Sequence, residues 1–230
     1  MNTIEHLFFD LDHTLWDFEK NSAETLTELF VELELNAHVS DLPEFIRIYQ
    51  TINARYWNLY NHGKVTKAEV RTGRFKDTLT HFNFPAVDEL ADRFGTAYIE
   101  RSPKKNHVFD GTHETLTYLK NRYQLHIITN GFTEVQFTKL KNCDLTHFFD
   151  LILCTEEVGV NKPNPLVFQT ALERTNALAS KSIMIGDNPE TDIMGAQKCG
   201  LNTILFNPHF AHYEIDSPQI NTLKELTILL

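Results

Sequence analysis

The spacing of apolar residues divides the chain into two kinds of sequence. Residues 4–9 are mainly apolar, predict a buried strand and end at Asp10. From about residue 17 to residue 101 the apolar positions recur at intervals of three and four, which is typical of amphipathic helices. Four helices are predicted there, near 17–35, 42–61, 67–82 and 87–100. Thr66 and Glu69 have the spacing of a capping box, which supports the start of the third helix.

After Ser102 and Pro103 the pattern changes to short apolar runs that alternate with helical segments. Strands are predicted at 124–129, 151–155, 182–186 and 202–206, and helices near 111–122, 132–142, 165–176 and 189–199. This alternation is typical of an α/β fold with a doubly wound parallel sheet. The strand at 4–9 is not followed by a single crossover helix and a second strand of this kind. The simplest architecture is therefore one α/β core built from residues 1–15 and 103–230, with residues 16–102 inserted as a four-helix domain.

Composition and charge narrow the range of functions. The chain is 42% hydrophobic and 23% charged, which is ordinary for a soluble protein, and it shows neither a membrane-spanning run nor a secretion signal. Its three cysteines form no Cys-x-x-Cys pair, which predicts buried free thiols and a cytoplasmic location. A formal net charge of −10 argues against binding to nucleic acid polymers. Because that charge repels anions, a phosphate site would need local positive charge from a metal ion, a lysine or a helix N-terminus.

Polar residues that could take part in binding or catalysis follow the predicted strands. The carboxyl ends of the strands are where doubly wound sheets bind ligands. Asp10 and Asp12 come directly after the first strand, and their spacing directs both carboxylates to the same side. One carboxylate could attack a substrate or bind a metal while the other transfers a proton. Taken alone, the two residues also fit an ordinary Asp-rich loop.

Three further groups of polar residues follow the later strands. They are Thr129, Asn130 and Gly131 before a helix, Lys162 in a loop, and Asp187 with Asp192 after the fourth strand. The first group could bind phosphate through side chains and backbone N–H groups, the lysine could neutralise it, and the two aspartates suit Mg²⁺. Each group has an ordinary alternative: a capped turn, a solvated lysine and a helix-capping aspartate. Their joint occurrence in this order indicates a phosphate-handling site.

These four groups resemble the signature motifs of the haloacid dehalogenase (HAD) superfamily, in which Asp-x-Asp-x-Thr, a Thr or Ser, a Lys and Gly-Asp-x-x-x-x-Asp follow one another. The resemblance implies a Rossmann-like core with a helical cap, and a phosphatase that works through an aspartyl phosphate and Mg²⁺. It implies that Asp10 is the nucleophile and Asp12 the general acid and base. The presence of Asp12 favours phosphate esters over organic halides as substrates.

The resemblance also assigns the remaining residues of the site. Thr129, Asn130, Gly131 and Lys162 would bind the transferring phosphoryl group, with Thr129 and Lys162 part of the catalytic set. Mg²⁺ would be held by Asp10, the backbone carbonyl of Asp12 and Asp187, with Asp192 in support.

Segments 128–133, 156–164 and 73–75 resemble the bacterial pyrimidine nucleotidases, a branch of the 5′-nucleotidases. This resemblance implies hydrolysis of (deoxy)pyrimidine nucleoside monophosphates, so the expected partner is a small phosphate monoester and not a nucleic acid or a membrane. Candidate specificity residues on the cap side are Trp16, Phe18, Tyr60, Lys64, Arg71 and Arg74. For the aromatic residues the alternative is core packing. For the two arginines it is solvation, or pairing with an acid such as Asp77.

Other functions stay open from the sequence. The same core would serve a phosphatase of phosphoglycolate or sugar phosphates, or a sugar phosphomutase. A non-catalytic binding protein for a phosphate ligand is a third alternative, which the intact set of Asp10, Asp12, Lys162 and Asp187 argues against. Nothing in the sequence indicates the oligomeric state, the preference among divalent metals or the role of residues 207–230.

Overall fold

The computed structural model describes residues 3–230, which divide into two compact units. The α/β unit comprises the described chain up to Phe18 together with Asn106–Leu230, and the helical unit is Glu19–Lys105. Both junctions lie three residues later than the sequence pattern indicated. The reason is that residues 15–17 still belong to the α/β unit, where the Asp17 N–H donates to the carbonyl of His107 at 3.1 Å.

The helical unit contains four α-helices, as the apolar periodicity predicts. They are α1 (Phe18–Glu32), α2 (Leu42–Asn61), α3 (Lys67–His81) and α4 (Val87–Arg101). The capping box at the start of α3 is present, because the Thr66 hydroxyl accepts from the Glu69 N–H while the Glu69 carboxylate accepts from the Thr66 N–H. Tyr49, Phe75 and Phe94 lie at the centre of the unit's own aromatic core.

The α/β unit is built on a six-stranded sheet in which every neighbouring pair is parallel. The strands are β1 (His6–Phe9), β2 (Gln124–Thr129), β3 (Leu151–Cys154), β4 (Ser182–Gly186), β5 (Asn202–Phe206) and β6 (Gln219–Ile220). Their order across the sheet is β3-β2-β1-β4-β5-β6, so β1 lies between β2 and β4. The predicted α/β fold with a parallel sheet is confirmed.

Both faces of this sheet are buried, which is why its strands are apolar at nearly every position. Leu7 and Phe9 belong to one core cluster, whereas Phe8 between them belongs to another. In the same way Ile127 and Ile128 point into different clusters. The alternation follows from the two-residue period of a strand.

The helices of the α/β unit are α5 (Thr112–Lys120), α6 (Thr133–Asn142), α7 (Pro165–Thr175), α8 (Gly195–Gln197) and α9 (Leu226–Leu229). Short 3-10 turns occur at Leu35–Ala37, Ser102–Lys104, Thr146–Phe148, Thr155–Glu157, Ala179–Lys181 and Leu223–Glu225. The helix predicted near 189–199 differs in form, because Pro189–Met194 is π-helical and only Gly195–Gln197 is α-helical. The Asn188 side chain accepts from the N–H groups of Glu190 and Thr191 and fixes this start.

The C-terminal segment, to which the sequence pattern gave no role, completes the α/β unit. It adds β6, which pairs in parallel with β5 at the edge of the sheet. Leu223 and Leu226 then bury their side chains in the same core cluster as Leu7 and Phe9 of β1. Asn207 joins the segment to the sheet, since its amide bonds both the N–H and the carbonyl of Ala211.

The cysteines are free, as expected, but they are not equally buried. Cys143 and Cys154 are buried, and burial raises the pKa of each thiol to about 11. Cys199 is only half-buried, so the expectation of three buried thiols was wrong for this residue. Within residues 3–230, no helix is both long enough and apolar enough to cross a membrane.

Candidate active site

The predicted catalytic residues lie together because the three central strands end side by side. Phe9 is in register with Ile127 of β2 and Ile185 of β4. The next residue, Asp10, bonds through its N–H to the carbonyl of Ile185 at 2.9 Å and extends β1 toward the carboxyl edge. Thr129 ends β2 and Asp187 follows β4 at that same edge.

Lys162 is the centre of the charged cluster. Its Nζ donates to Asp10 Oδ1 at 2.6 Å, to Asp192 Oδ1 at 2.6 Å and to the carbonyl of Ile128 at 2.8 Å. The residue is 1% exposed. Burial alone would lower the pKa of this ammonium group, but the two carboxylates raise it above its usual value. The lysine is therefore charged at neutral pH, and it brings positive charge to a protein with a strongly negative total.

A second set of contacts holds the backbone of Lys162 in place. Asn130 Oδ1 accepts from the Lys162 N–H at 2.9 Å, and Asn130 Nδ2 donates to the Lys162 carbonyl at 3.0 Å. Within the loop before it, the Thr155 hydroxyl donates to Asn161 Oδ1 at 2.9 Å. The Asn130 side chain, which the sequence placed at a phosphate, is thus engaged in positioning the lysine.

Three carboxylates of this edge form a possible metal site. One oxygen each of Asp10, Asp187 and Asp192 lie within 4.8 Å of one another. Burial raises the pKa of Asp10 well above its usual value, and the two other aspartates add to this while Lys162 opposes it. Burial, and after it Asp192, raises the pKa of Asp187 to about 8, although the Thr14 hydroxyl donates to Asp187 at 3.2 Å.

The donor set fits a hard divalent cation. Two buried carboxylates and the half-buried Asp187 lie around a single lysine that pairs with two of them, so the cluster is short of positive charge. Carboxylate oxygens are the preferred ligands of Mg²⁺. A bound cation would relieve the repulsion that raises the pKa of Asp187. Asp192 is the least exposed of the three and already bonds Lys162 and the Asn188 N–H, which agrees with a supporting role.

Gly186, the last residue of β4, leaves room for this arrangement. A Cβ atom at Gly186 would lie 2.2 Å from Asp192 Oδ2, much closer than any non-bonded contact allows. A side chain there would therefore displace the carboxylate that bonds Lys162. The glycine before Asp187 is required by this close approach and not by a turn.

Asp12 lies outside the carboxylate cluster and has partners that sequence reasoning missed. Its Oδ2 accepts from Gln136 Nε2 at 2.8 Å, and its Oδ1 accepts from Lys139 Nζ at 2.5 Å. Both partners come from α6, which begins just after Thr129. The sequence did indicate these partners, because Gln136 and Lys139 lie three residues apart on a helix that begins near the end of a strand. Residues at that spacing share one face of a helix and can both reach the strand end.

Thr129 is prepared to donate a hydrogen bond. Its hydroxyl oxygen accepts from Gln136 Nε2 at 2.7 Å and from the Gly131 N–H at 3.1 Å. A hydroxyl has two acceptor positions and one donor, so its hydrogen is left for a ligand. The Gly131 N–H, expected to face a phosphate, instead faces Thr129 in this structure.

The six candidate specificity residues differ widely in environment. Trp16 and Phe18 are core residues of the α/β unit, and Trp16 also lies against Lys139. In the helical unit, Tyr60 packs edge-on against Trp57 at 5.7 Å between ring centroids. Lys64 and Arg71 are exposed. That any of them contacts a substrate stays a prediction.

Arg74 is neither solvated nor paired with Asp77, so both alternatives considered for it were wrong. It is 4% exposed, its Nη1 donates to Asn53 Oδ1 at 2.7 Å, and its guanidinium lies against the ring of Tyr98. Asp77 pairs with Arg55 instead. Helical periodicity treats an arginine as a surface residue and cannot predict a polar group inside the bundle.

Comparison with known proteins agrees with this geometry. The sequence profile of the haloacid dehalogenase-like hydrolases matches residues 7–206. The pyrimidine 5′-nucleotidase YjjG of Escherichia coli is 31% identical over 88% of this chain and 86% of its own length. The pyrimidine 5′-nucleotidase PynA of Streptococcus pneumoniae is also 31% identical, over 88% of this chain and 84% of its own. The activity in each name is that of the relative.

A solved structure is also similar to this chain. The magnesium-bound HAD-hydrolase YfnB of Bacillus subtilis superposes with a TM-score of 0.90 at 29% identity, and 99% of each chain is covered. The resemblance read from the motifs, including the nucleotidase branch, is confirmed by these proteins, as is the expected class of enzyme, a phosphatase of this family. With the profile covering most of its length and the motif residues meeting at one sheet edge, this chain belongs to the haloacid dehalogenase-like hydrolases.

Proposed function

We propose that this protein is a Mg²⁺-dependent phosphomonoesterase that uses Asp10 as its nucleophile, and that its substrates are pyrimidine nucleoside 5′-monophosphates. The observation that supports the reaction is the cluster in which Lys162 bonds Asp10 and Asp192 beside Asp187. The cluster supports these roles because a nucleophile, a fixed positive charge and cation ligands must lie together for this reaction. Phosphoryl transfer depends mainly on positioning and charge, which this arrangement provides.

In the first step a carboxylate oxygen of Asp10 attacks phosphorus. A bond from Asp10 to phosphorus forms, the bond to the ester oxygen breaks, and Asp12 gives its proton to that leaving oxygen. In the second step Asp12 takes a proton from water, and the resulting hydroxide attacks the aspartyl phosphate. Phosphate leaves and Asp10 returns to its carboxylate form.

The surrounding residues would hold the charge of the phosphoryl group. Lys162 supplies an ammonium group and Thr129 the hydroxyl hydrogen that its two acceptor contacts leave over. Asp10, the backbone carbonyl of Asp12 and Asp187 would bind Mg²⁺, with Asp192 in support. When bound, the ion supplies positive charge for the phosphoryl oxygens.

The choice of substrate is supported by the two relatives named as pyrimidine nucleotidases, which match most of the chain. The shared sequence includes both units, so it extends beyond the catalytic motifs common to all phosphatases of this type. A phosphatase of phosphoglycolate or sugar phosphates would have the same cluster, and a phosphomutase would use the same two carboxylates. Substrate profiles distinguish these three enzymes.

The test is phosphate release from dUMP, dTMP, UMP, a purine monophosphate, phosphoglycolate and two sugar phosphates, with Mg²⁺ or with EDTA. Asp10→Asn is compared with Asp144→Asn, an exposed aspartate outside the site. We expect release that requires Mg²⁺, is lost in Asp10→Asn, survives in Asp144→Asn and is fastest with pyrimidine nucleotides. The same dependence with another preferred substrate would retain the reaction and discard the nucleotidase assignment. Absence of release from every compound would contradict both.

A further inference from the structure

The two oxygens of Asp12 are held by two residues of one helix face. Lys139 Nζ donates to Oδ1 at 2.5 Å and Gln136 Nε2 donates to Oδ2 at 2.8 Å. Gln136 and Lys139 are 0% and 5% exposed, and they lie three residues apart on α6. Two donors on opposite oxygens fix the plane of a carboxylate as well as its position.

Gln136 also links Asp12 to the phosphate-binding edge. The same Nε2 that donates to Asp12 donates its other hydrogen to the Thr129 hydroxyl at 2.7 Å. The amide group of Gln136 therefore fixes the position of the Asp12 carboxylate relative to the Thr129 hydroxyl at the end of β2. Gly131 makes room for this amide, because a Cβ there would lie 2.2 Å from Nε2.

Burying the polar groups of Gln136 and Lys139 costs free energy, which indicates that they serve more than folding. Gln136 Oε1 is buried and has no hydrogen-bond partner among residues 3–230. Lys139 is a buried cation, held by Asp12 and by the face of Trp16, whose ring centroid lies 4.3 Å from Nζ. An apolar pair would fill the same space without an unsatisfied carbonyl or a buried charge. Buried polar or charged residues that are not fully compensated are concentrated at functional sites.

We propose that Gln136 and Lys139 are positioning residues that hold the Asp12 carboxylate in the orientation needed for proton transfer to the leaving group. The proposal rests on the phosphatase reaction proposed above. Each carboxylate oxygen has two acceptor positions, so one donor on each oxygen leaves a position free for the transferred proton. Lys139 acts through Asp12, and Gln136 acts through Asp12 and Thr129.

The test compares two substrates that differ in their need for an acid. The leaving oxygen of a nucleoside monophosphate requires a proton, whereas the nitrophenolate of p-nitrophenyl phosphate leaves without one. The value of kcat/KM reports the steps up to release of the leaving group, so it isolates the transfer in which Asp12 acts as an acid. Lys139→Met, Gln136→Met and Lys139→Arg are compared with Lys141→Met, an exposed lysine on the same helix.

We expect Lys139→Met and Gln136→Met to lower kcat/KM for the preferred nucleotide by about 10- to 100-fold, part of the usual contribution of an acid catalyst. For p-nitrophenyl phosphate the loss in Lys139→Met should stay below about threefold, because positioning the acid matters little there. Gln136→Met should lose some activity on this substrate as well, because it also removes the hydrogen bond to Thr129. Lys139→Arg should recover most of the nucleotide activity, and Lys141→Met should match the native protein. Equal losses of Lys139→Met on both substrates, or a Lys139→Met variant that matches Lys141→Met, would overturn the proposal.

A second measurement separates failure of this inference from failure of the proposed function. Crystal structures of the native protein and of Lys139→Met show where the Asp12 carboxylate lies, whether or not any ester is cleaved. We expect the carboxylate to rotate away from its native position when Nζ is removed. An unchanged carboxylate would refute the positioning role, while a native protein that cleaves no ester would refute the reaction and leave this geometric result standing on its own.

Discussion

Lys162 and Asp192 form an ion pair of 2.6 Å in the interior of the protein, where the two side chains are 2% and 1% exposed. Asp10 bonds the same nitrogen, so two carboxylates share one ammonium group. Removing a partner from a buried pair leaves an uncompensated charge, which costs far more than loss of an ion pair at the surface.

Replacement of Lys162 by Met should therefore affect both stability and activity. We expect the free energy of unfolding to fall by about 3–5 kcal/mol, as for other broken buried pairs. Phosphatase activity should be lost. Urea unfolding and phosphate release measure the two effects.

Lys181→Met is the matched control, because Lys181 pairs with Glu5 at 2.6 Å on the surface. Exposed pairs contribute about 0–1 kcal/mol, so this variant should keep native activity and nearly native stability. Equal destabilisation by the two substitutions would contradict a stabilising role of Lys162 among the buried carboxylates.

Asp187→Asn should separate stability from metal binding. Burial and the neighbouring Asp192 both disfavour the charged form of the Asp187 carboxylate, and a neutral amide at this position removes the repulsion between the two aspartates. We expect the melting temperature in EDTA to rise by about 2–4 °C for each kcal/mol gained. Addition of Mg²⁺ should stabilise the native protein and leave the variant unchanged. A variant that Mg²⁺ still stabilises fully would place the ion elsewhere.

Gly186→Ala should abolish activity through the position of Asp192. The new Cβ would lie 2.2 Å from Asp192 Oδ2, so the carboxylate must move away from Lys162. Gly200→Ala is the control, because its Cβ would meet nothing closer than 3.7 Å and only its φ of +81° is unfavourable for alanine. Phosphate release should distinguish the two variants, and an active Gly186→Ala protein would contradict the close approach.

The buried pair of His6 and His126 should make the protein sensitive to acid. His6 Nδ1 and His126 Nε2 lie 3.1 Å apart, and the Nδ1 of His126 has no partner among the described residues. Burial, then His6, lowers the pKa of His126 to about 4; Lys120 adds to the shift and Asp150 opposes it. Because the folded pKa lies below the unfolded value, the contribution to stability is complete above pH 6.5 and is lost as the pH falls toward 4.

The expected loss across that interval is of the order of 3 kcal/mol. Unfolding by urea between pH 7.5 and 4.5 measures it, and His126→Phe should flatten the dependence because it keeps a ring against Phe8 and removes the titrating group. His147→Gln, at a residue with an exposed side chain, should retain the native pH dependence. A native protein with constant stability over this range would contradict the effect.

Much of the architecture was predictable because it is encoded in local periodicity. The four helices of the helical unit and the first five strands lie within a few residues of their predicted positions. The meeting of Asp10, Lys162 and Asp187 was predictable because the carboxyl ends of neighbouring parallel strands lie at the same edge of a sheet.

What could not be predicted depends on contacts between distant segments. β6 has two residues, too few for a period to be recognised, and it is defined by its pairing with β5. Gln136 and Lys139 resemble ordinary polar helix residues until α6 is placed against Asp12. Arg74 is polar in an interior position, and its contacts with Asn53 and Tyr98, both distant in sequence, explain how it is accommodated.

The central position of β1 has a consequence for synthesis of the chain. Its partners β2 and β4 follow it by more than a hundred residues, whereas the helical unit between them is formed by one continuous segment. On the ribosome that segment can complete its own core while Leu7, Phe8 and Phe9 still lack both neighbouring strands. This fully buried strand is thus the first to be made and the one that waits longest for a partner strand, so its apolar side chains are available to chaperones on the nascent chain.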